Sequence, residues 1–180
     1  MNIVLHEPGI ALNTGNIGRS CAATQTRLHL IRPYGFVISQ KEIRRAGMDY
    51  WEKVDLAQYV DYEDFLERHP ELVFAGEDDT LPGECSAGPR LWFATTKARQ
   101  CYTDVRYGPE DYLMLGNESR GIPEEILAAH PGACVRIPMW GDIRSLNLAN
   151  AAAVLLYEAL RQNGFPEMEK QGRLHRLHWS

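Results

Sequence analysis

Short apolar runs, separated by longer mixed stretches, recur along the whole chain. Residues 2–6, 28–31, 72–76, 91–95, 112–115 and 133–137 are each four or five residues long, and most stop at Pro or Gly. Runs of that length predict buried strands. A further short strand is predicted over 54–59. Between them the polar positions shift to helical spacing. Helices are predicted over 16–25, over 40–46 behind a Ser39/Glu42 capping box, from an Asp61 cap to about 69, from Pro123 to about 129, and over 147–163 before Gly164 and Pro166. Strands thus alternate with helices almost throughout. The expected fold is α/β: a mostly parallel sheet with helices on both faces, Rossmann-like.

Composition narrows the class without naming a function. The 180 residues suit one domain with one core. No apolar run approaches the ~20 residues of a membrane helix, and 1–5 reads as a strand with no basic flank. Cys21, Cys85, Cys101 and Cys134 are widely spaced, without a Cys-x-x-Cys pair. This predicts reduced thiols in a cytoplasmic protein and neither a zinc site nor a disulfide framework. The net charge of −5 hides an asymmetry. Of 24 acids, eight lie between 61 and 79 beside one of the 19 bases, which leaves 16 acids against 18 bases elsewhere. A solvated acidic face on one side therefore leaves room for a basic groove on another.

The candidate chemistry gathers where strands end, the place where open α/β sheets bind ligands. After the first strand comes Asn13-Thr14-Gly15-Asn16-Ile17-Gly18-Arg19, read as a loop running into a helix. It lacks the full dinucleotide fingerprint and the acid about 20 residues on. A tight strand-to-helix connection is the plain alternative, but it leaves Asn13 and Arg19 without a task. An Asn that fixes a loop and an Arg one turn into a helix suit a phosphate or ribose. Gly116-Asn117-Glu118-Ser119-Arg120-Gly121 follows the fifth of the listed runs. It reads either as a surface turn with a local ion pair or as a loop that a ligand approaches closely. After 133–137 and Pro138 come Arg144, Ser145 and Asn147, a guanidinium, a hydroxyl and an amide at the start of the last helix. They are a cap, a binding group, or both.

In order and spacing, these segments resemble the three motifs of the SPOUT superfamily of knotted RNA methyltransferases. Glu7-Pro8, Pro33-Tyr34-Gly35-Phe36, the stretch from Arg44 to Tyr50 and Thr95-Thr96-Lys97 extend the likeness to its tRNA (cytidine/uridine-34) 2′-O-methyltransferase subgroup, TrmL, over residues 2–163. The resemblance implies a deep C-terminal trefoil knot, an exception to the unknotted rule. It implies S-adenosylmethionine held by Ala94, Thr95, Gly116, Gly121, Ile137 and Ser145, with no metal. It implies Asn13, Arg19, Glu118, Ser145 and Asn147 as the catalytic neighbourhood of a homodimer packed through the helices after Asn13 and Ser145. The implied reaction is methylation of the ribose 2′-hydroxyl of the wobble nucleotide, position 34, in tRNA-Leu anticodon loops. A ribose methyltransferase for another tRNA or rRNA position would share every motif. A non-catalytic RNA-binding module would keep the fold without needing Arg19, Glu118 and Asn147 together. Arg44, Arg45, Lys97 and Arg99 are candidate RNA contacts, with ordinary solvated charge as the alternative. Residues 77–90 are read as a surface excursion, 1–163 as one domain, and 164–180 as a basic tail.

Overall fold

The computed structural model describes residues 1–36, 50–74, 88–177 and 179. The predicted helix over 40–46, Arg44, Arg45, Cys85 and most of the 77–90 excursion lie outside the described residues.

Among the described residues eight strands form one sheet: β1 (Asn2–His6), β2 (Arg27–Ile31), β3 (Leu56–Tyr59), β4 (Val73–Phe74), β5 (Arg90–Ala94), β6 (Gln100–Cys101), β7 (Tyr112–Leu115) and β8 (Cys134–Arg136). The helices are α1 (Ala11–Thr24), α2 (Tyr62–Glu67), α3 (Glu124–Ala129) and α4 (Leu148–Gln162). Strand order is β3-β2-β1-β7-β5-β8-β6, and every pairing is parallel. One edge of β5 runs along β7 from Leu91 to Ala94. Its other edge is shared, with β4 beside its first residues and β8 beside its last.

The register explains why the central runs are apolar without alternation. Val4 aligns with His29 and Met114, and Met114 with Phe93, on one face. Ile3, Leu28, Leu113 and Trp92 align on the other. Both faces are covered, as a parallel sheet requires. Phe65 of α2 meets His29, Tyr59 and Tyr112 on the first face. On the second, α1 and α4 pack on each other and α4 against β7. Ile3, Val4, Leu5, Leu28, Leu30, Phe93 and Met114 are fully buried, each stabilising the fold by roughly 1.5–3 kcal/mol relative to exposure.

Two expectations are corrected. The first helix begins at Ala11 rather than at 16, so Asn13, Thr14 and Gly15 lie within it and are buried. It ends at Thr24 and is capped by Gln25, whose φ of 52° is left-handed. A two-residue strand, β6, joins β8 where no strand is predicted; an edge strand that short carries no apolar pattern. The last helix matches its prediction, with Asn147 as its cap. Among the described residues Cys21, Cys101 and Cys134 are free thiols, and burial pushes Cys21 up to about 12. No described helix is long and apolar enough to cross a membrane.

Candidate functional site

The carboxyl ends of β1, β5, β7 and β8 open onto a cavity of about 820 Å³. It is built from the main chain outward. At the end of β7 the chain turns back on itself, with the Gly121 N–H donating to the Asn117 carbonyl (2.8 Å). Gly121 takes φ +73°, a left-handed angle that favours glycine. Gly116 lies against this turn so closely that a Cβ would stand 2.2 Å from the carbonyl carbon of Gly121. No larger residue fits there.

The Asn117 side chain fixes both sides of the turn. Its Oδ1 accepts from the N–H groups of Ser119 (3.0 Å) and Arg120 (3.2 Å), and its Nδ2 donates to the Glu7 carbonyl (2.7 Å). Arg120 pairs with the Glu7 carboxylate at 2.8 Å, tying the β7 loop to the end of β1 a second time. Such an exposed pair contributes at most about 1 kcal/mol.

Glu118 joins the β7 loop to the first segment, and Asn13 carries the link on to the third. Its carboxylate accepts from the N–H of Gly9 (2.7 Å), the N–H of Ile10 (3.2 Å) and Nδ2 of Asn13 (2.9 Å). Ile10, at the start of α1, has no side-chain cap of its own. Glu118 supplies that capping charge from 108 residues downstream, where the helix dipole favours an anion. Asn13 Oδ1 in turn accepts from Asn147 Nδ2 (3.0 Å). Asn147 Oδ1 caps α4 by accepting from Ala149 N (2.9 Å) and Asn150 N (3.4 Å). One unbroken chain of hydrogen bonds therefore runs from the β7 loop through α1 to the start of α4.

Asn13, Ala94, Thr95, Gly116, Glu118, Gly121, Ile137, Ser145 and Asn147 all line the cavity. Arg19 does not. It is exposed on α1, six residues past Asn13, about 9 Å along the helix at 1.5 Å per residue. Its guanidinium stands over the Tyr50 ring, 4.5 Å from the centroid. Lys97 lies on the cavity rim, paired with Glu124 at 2.5 Å. That hydrogen bond is the main cause holding the Glu124 carboxyl below its usual value. Glu7 and Ile10 are contributors with no assigned role in the sequence reading. The Glu7-Pro8-Gly9 break after the first strand is the local signal for them. Among the described residues no group of three or more His, Cys, Asp or Glu is placed to hold a metal ion.

The cavity fits S-adenosylmethionine in size, falling within the roughly 300–1,000 Å³ of small-molecule sites. It also fits in character, offering main chain at Gly116 where no side chain obstructs and the apolar walls of Leu115, Ile122 and Ile137.

A family model described as the SpoU rRNA methylase family matches residues 1–157. A tRNA (cytidine(34)-2′-O)-methyltransferase of Yersinia pestis is 46% identical over 167 residues, covering 92% of this chain and 96% of that protein. A solved structure concerned with 2-OH methylation of C/U34 on tRNA is 41% identical, covers 91% of this chain and 95% of its own, and superposes with a TM-score of 0.76. An AdoMet-bound rRNA methyltransferase from Sinorhizobium meliloti is 27% identical over 89% of this chain and 55% of its own, with a TM-score of 0.70. The parallel sheet, the strand-end cavity and these likenesses converge: the chain belongs to the SpoU rRNA methylase family.

Proposed function

We propose that this protein transfers a methyl group from S-adenosylmethionine to the ribose 2′-hydroxyl of the wobble nucleotide of tRNA, cytidine or modified uridine 34 in tRNA-Leu. The observation that carries this reading is the hydrogen-bond chain Glu118–Asn13–Asn147 beside the open strand-end cavity. The likeness to the Yersinia pestis enzyme supports the choice of nucleotide. Residues 1–163 form the methyltransferase domain, with the family's C-terminal knot, and 164–180 its tail.

Main chain at Gly116 and Ile137, with Ala94, Thr95, Gly121 and Ser145, would hold the donor. When bound, the donor supplies a methyl group already activated on a sulfonium, with a neutral thioether as leaving group. The protein's task is then alignment and help with one proton. Glu118, Asn13 and Asn147 fix the loops that present Ser145 and the cavity floor to the ribose. Arg19 is not the base, because a guanidinium stays protonated below pH ~12. Its role is to bind the neighbouring phosphate and stabilise the developing alkoxide.

Arg19 lies outside its own cavity, so this role places it at the cavity of a partner copy. The exposed Leu12 on α1 and Val154 and Tyr157 on α4 support a homodimer packed through those two helices. The dimer works in the cytoplasm on tRNA.

The test is methylation of tRNA-Leu taken from cells that lack this protein, with the product mapped by mass spectrometry. A methyl group at nucleotide 34, lost when that ribose is 2′-deoxy, is the expected result. Methylation elsewhere, or none, overturns the reading. In single turnover, Arg19→Ala should slow transfer by on the order of 100-fold and Arg19→Lys by less, the size of one removed charge-stabilising donor. An unchanged rate in both removes Arg19 from the chemistry.

A further inference from the structure

Three contacts around Arg19 converge on residues 50 and 51. Arg19 extends over the Tyr50 ring, 4.5 Å from its centroid. The Tyr50 hydroxyl donates to the Gly15 carbonyl at 2.9 Å. That carbonyl lies four residues before Arg19, the one an α-helix pairs with the Arg19 N–H. The Trp51 ring fills the space beside Gly18, where a Cβ would stand 2.6 Å from the ring. A β-carbon at position 18 would push this segment off the helix. Glycine at 18 therefore lets Tyr50 reach Arg19.

We propose that Tyr50 is a positioning residue that aims the Arg19 guanidinium at the RNA; this rests on the reading of Arg19 given above. A long arginine side chain on an exposed helix face samples many rotamers, and fixing it costs up to about 2 kcal/mol of entropy. The ring holds one side of the guanidinium by cation–π attraction and takes none of its hydrogens. The Arg19 guanidinium makes no hydrogen bond or ion pair among the described residues. Its N–H donors thus stay available to a phosphate or a developing alkoxide. The hydroxyl bond to Gly15 fixes the ring to the helix that carries Arg19. Aromatic platform and guanidinium therefore move as one unit.

The test is a double-mutant cycle in single-turnover methyl transfer. It uses Tyr50→Leu, Tyr50→Phe, Arg19→Ala and Arg19→Ala/Tyr50→Leu, with S-adenosylmethionine affinity measured for each. Tyr50→Met serves as a second non-aromatic variant if Tyr50→Leu does not fold. Tyr50→Leu is expected to slow transfer about 2- to 5-fold, the range of one exposed cation–π contact. Tyr50→Phe keeps the ring and should recover most of that loss. Donor affinity should be unchanged in all four. In the double variant Tyr50→Leu should add nothing to Arg19→Ala, because its effect passes through Arg19. Additive losses, or a fall in donor affinity, would show that Tyr50 acts through the fold and overturn the proposal. So would a full rate in Tyr50→Leu where Arg19→Ala is slow, which leaves the role of Arg19 standing. A full rate in Arg19→Ala overturns both.

Discussion

Strand β7 carries a carboxylate just beyond each end, and the two are bonded alike. Asp111, before the strand, accepts from the N–H of Arg90 (2.9 Å), the N–H of Gly108 (2.9 Å) and the indole of Trp92 (2.8 Å). Glu118, after it, accepts from two N–H groups and an amide. Asp111 is 3% exposed, and behind it lies a sealed polar cluster. Asn2 donates to the Glu110 carbonyl and so turns its Oδ1 to His29 Nε2, which must donate. His29 Nδ1 then accepts from the Tyr59 hydroxyl. Glu118 instead borders an open cavity. A well-satisfied carboxylate is therefore not in itself the mark of a site. Position at the carboxyl ends of the strands, and access from solvent, make the difference.

The sharpest way to break this comparison is to neutralise each carboxylate. Glu118→Gln should cut single-turnover methyl transfer about 100-fold, since one of its N–H donors then faces an NH₂ group. Asp111→Asn should cost about 2–3 kcal/mol of stability by the same logic in a buried place, read from urea unfolding. Its folded fraction should transfer methyl at the wild-type rate. If Asp111→Asn lost activity while remaining folded, the two ends would not be separable.

Asn147 tests the carboxyl end at finer grain. Asn147→Asp keeps an oxygen for Ala149 and Asn150 but has no donor for Asn13. Activity should fall about tenfold, the loss of one part-buried hydrogen bond, with the melting temperature nearly unchanged. Asn147→Ala removes the cap as well and should cost about 1 kcal/mol of stability more. A wild-type rate in Asn147→Asp would mean that the link to Asn13 contributes nothing, and equal stability of the two variants that the cap does not.

The effect that is nil at neutral pH belongs to the sealed end and appears only in acid. Burial, then the neighbouring His69 and Arg27, push His29 down to about 3. The unfolded ring takes a proton near its ordinary value of 6.5, the folded ring not until about 3. The stability tied to this ring is complete above pH 6.5 and lost as pH falls toward about 3, at about 1.4 kcal/mol per pH unit. His29→Gln should flatten that slope in urea midpoints between pH 7 and 4.5 and leave methyl transfer at neutral pH intact. An unchanged slope would mean that the ring does not titrate with unfolding.

Much of this organisation is legible in the amino-acid sequence, and the exceptions have a physical reason. The central strands show because both faces are buried, so their runs are continuously apolar. The α4 cap shows because Asn147 and its helix are adjacent in sequence. The true start of α1 does not, because its capping oxygen is Glu118, supplied from across the sheet. Asn13 and Gly15 then read as loop residues although they lie in the helix. Among the predicted site residues the cavity collects those at strand ends and at the starts of α1 and α4. Arg19, six residues further along α1 than Asn13, falls outside it, and the aromatic ring under it is 31 positions away in the chain.

The pairing of β1 with β7 also sets a schedule. Asn2 aligns with Tyr112, so one edge of the first strand stays open until residue 112 has been made. At the usual 5–20 residues per second of synthesis that is on the order of 5 to 20 s. Glu118 follows within a second or so, and Asn147 later still. A nascent chain halted before residue 112 would hold a first strand paired with β2 along one edge and open along the other, and no cavity. The site is assembled only after most of the sheet has been made, and the protection of the open edge of β1 until then falls to whatever shields exposed strand edges during synthesis.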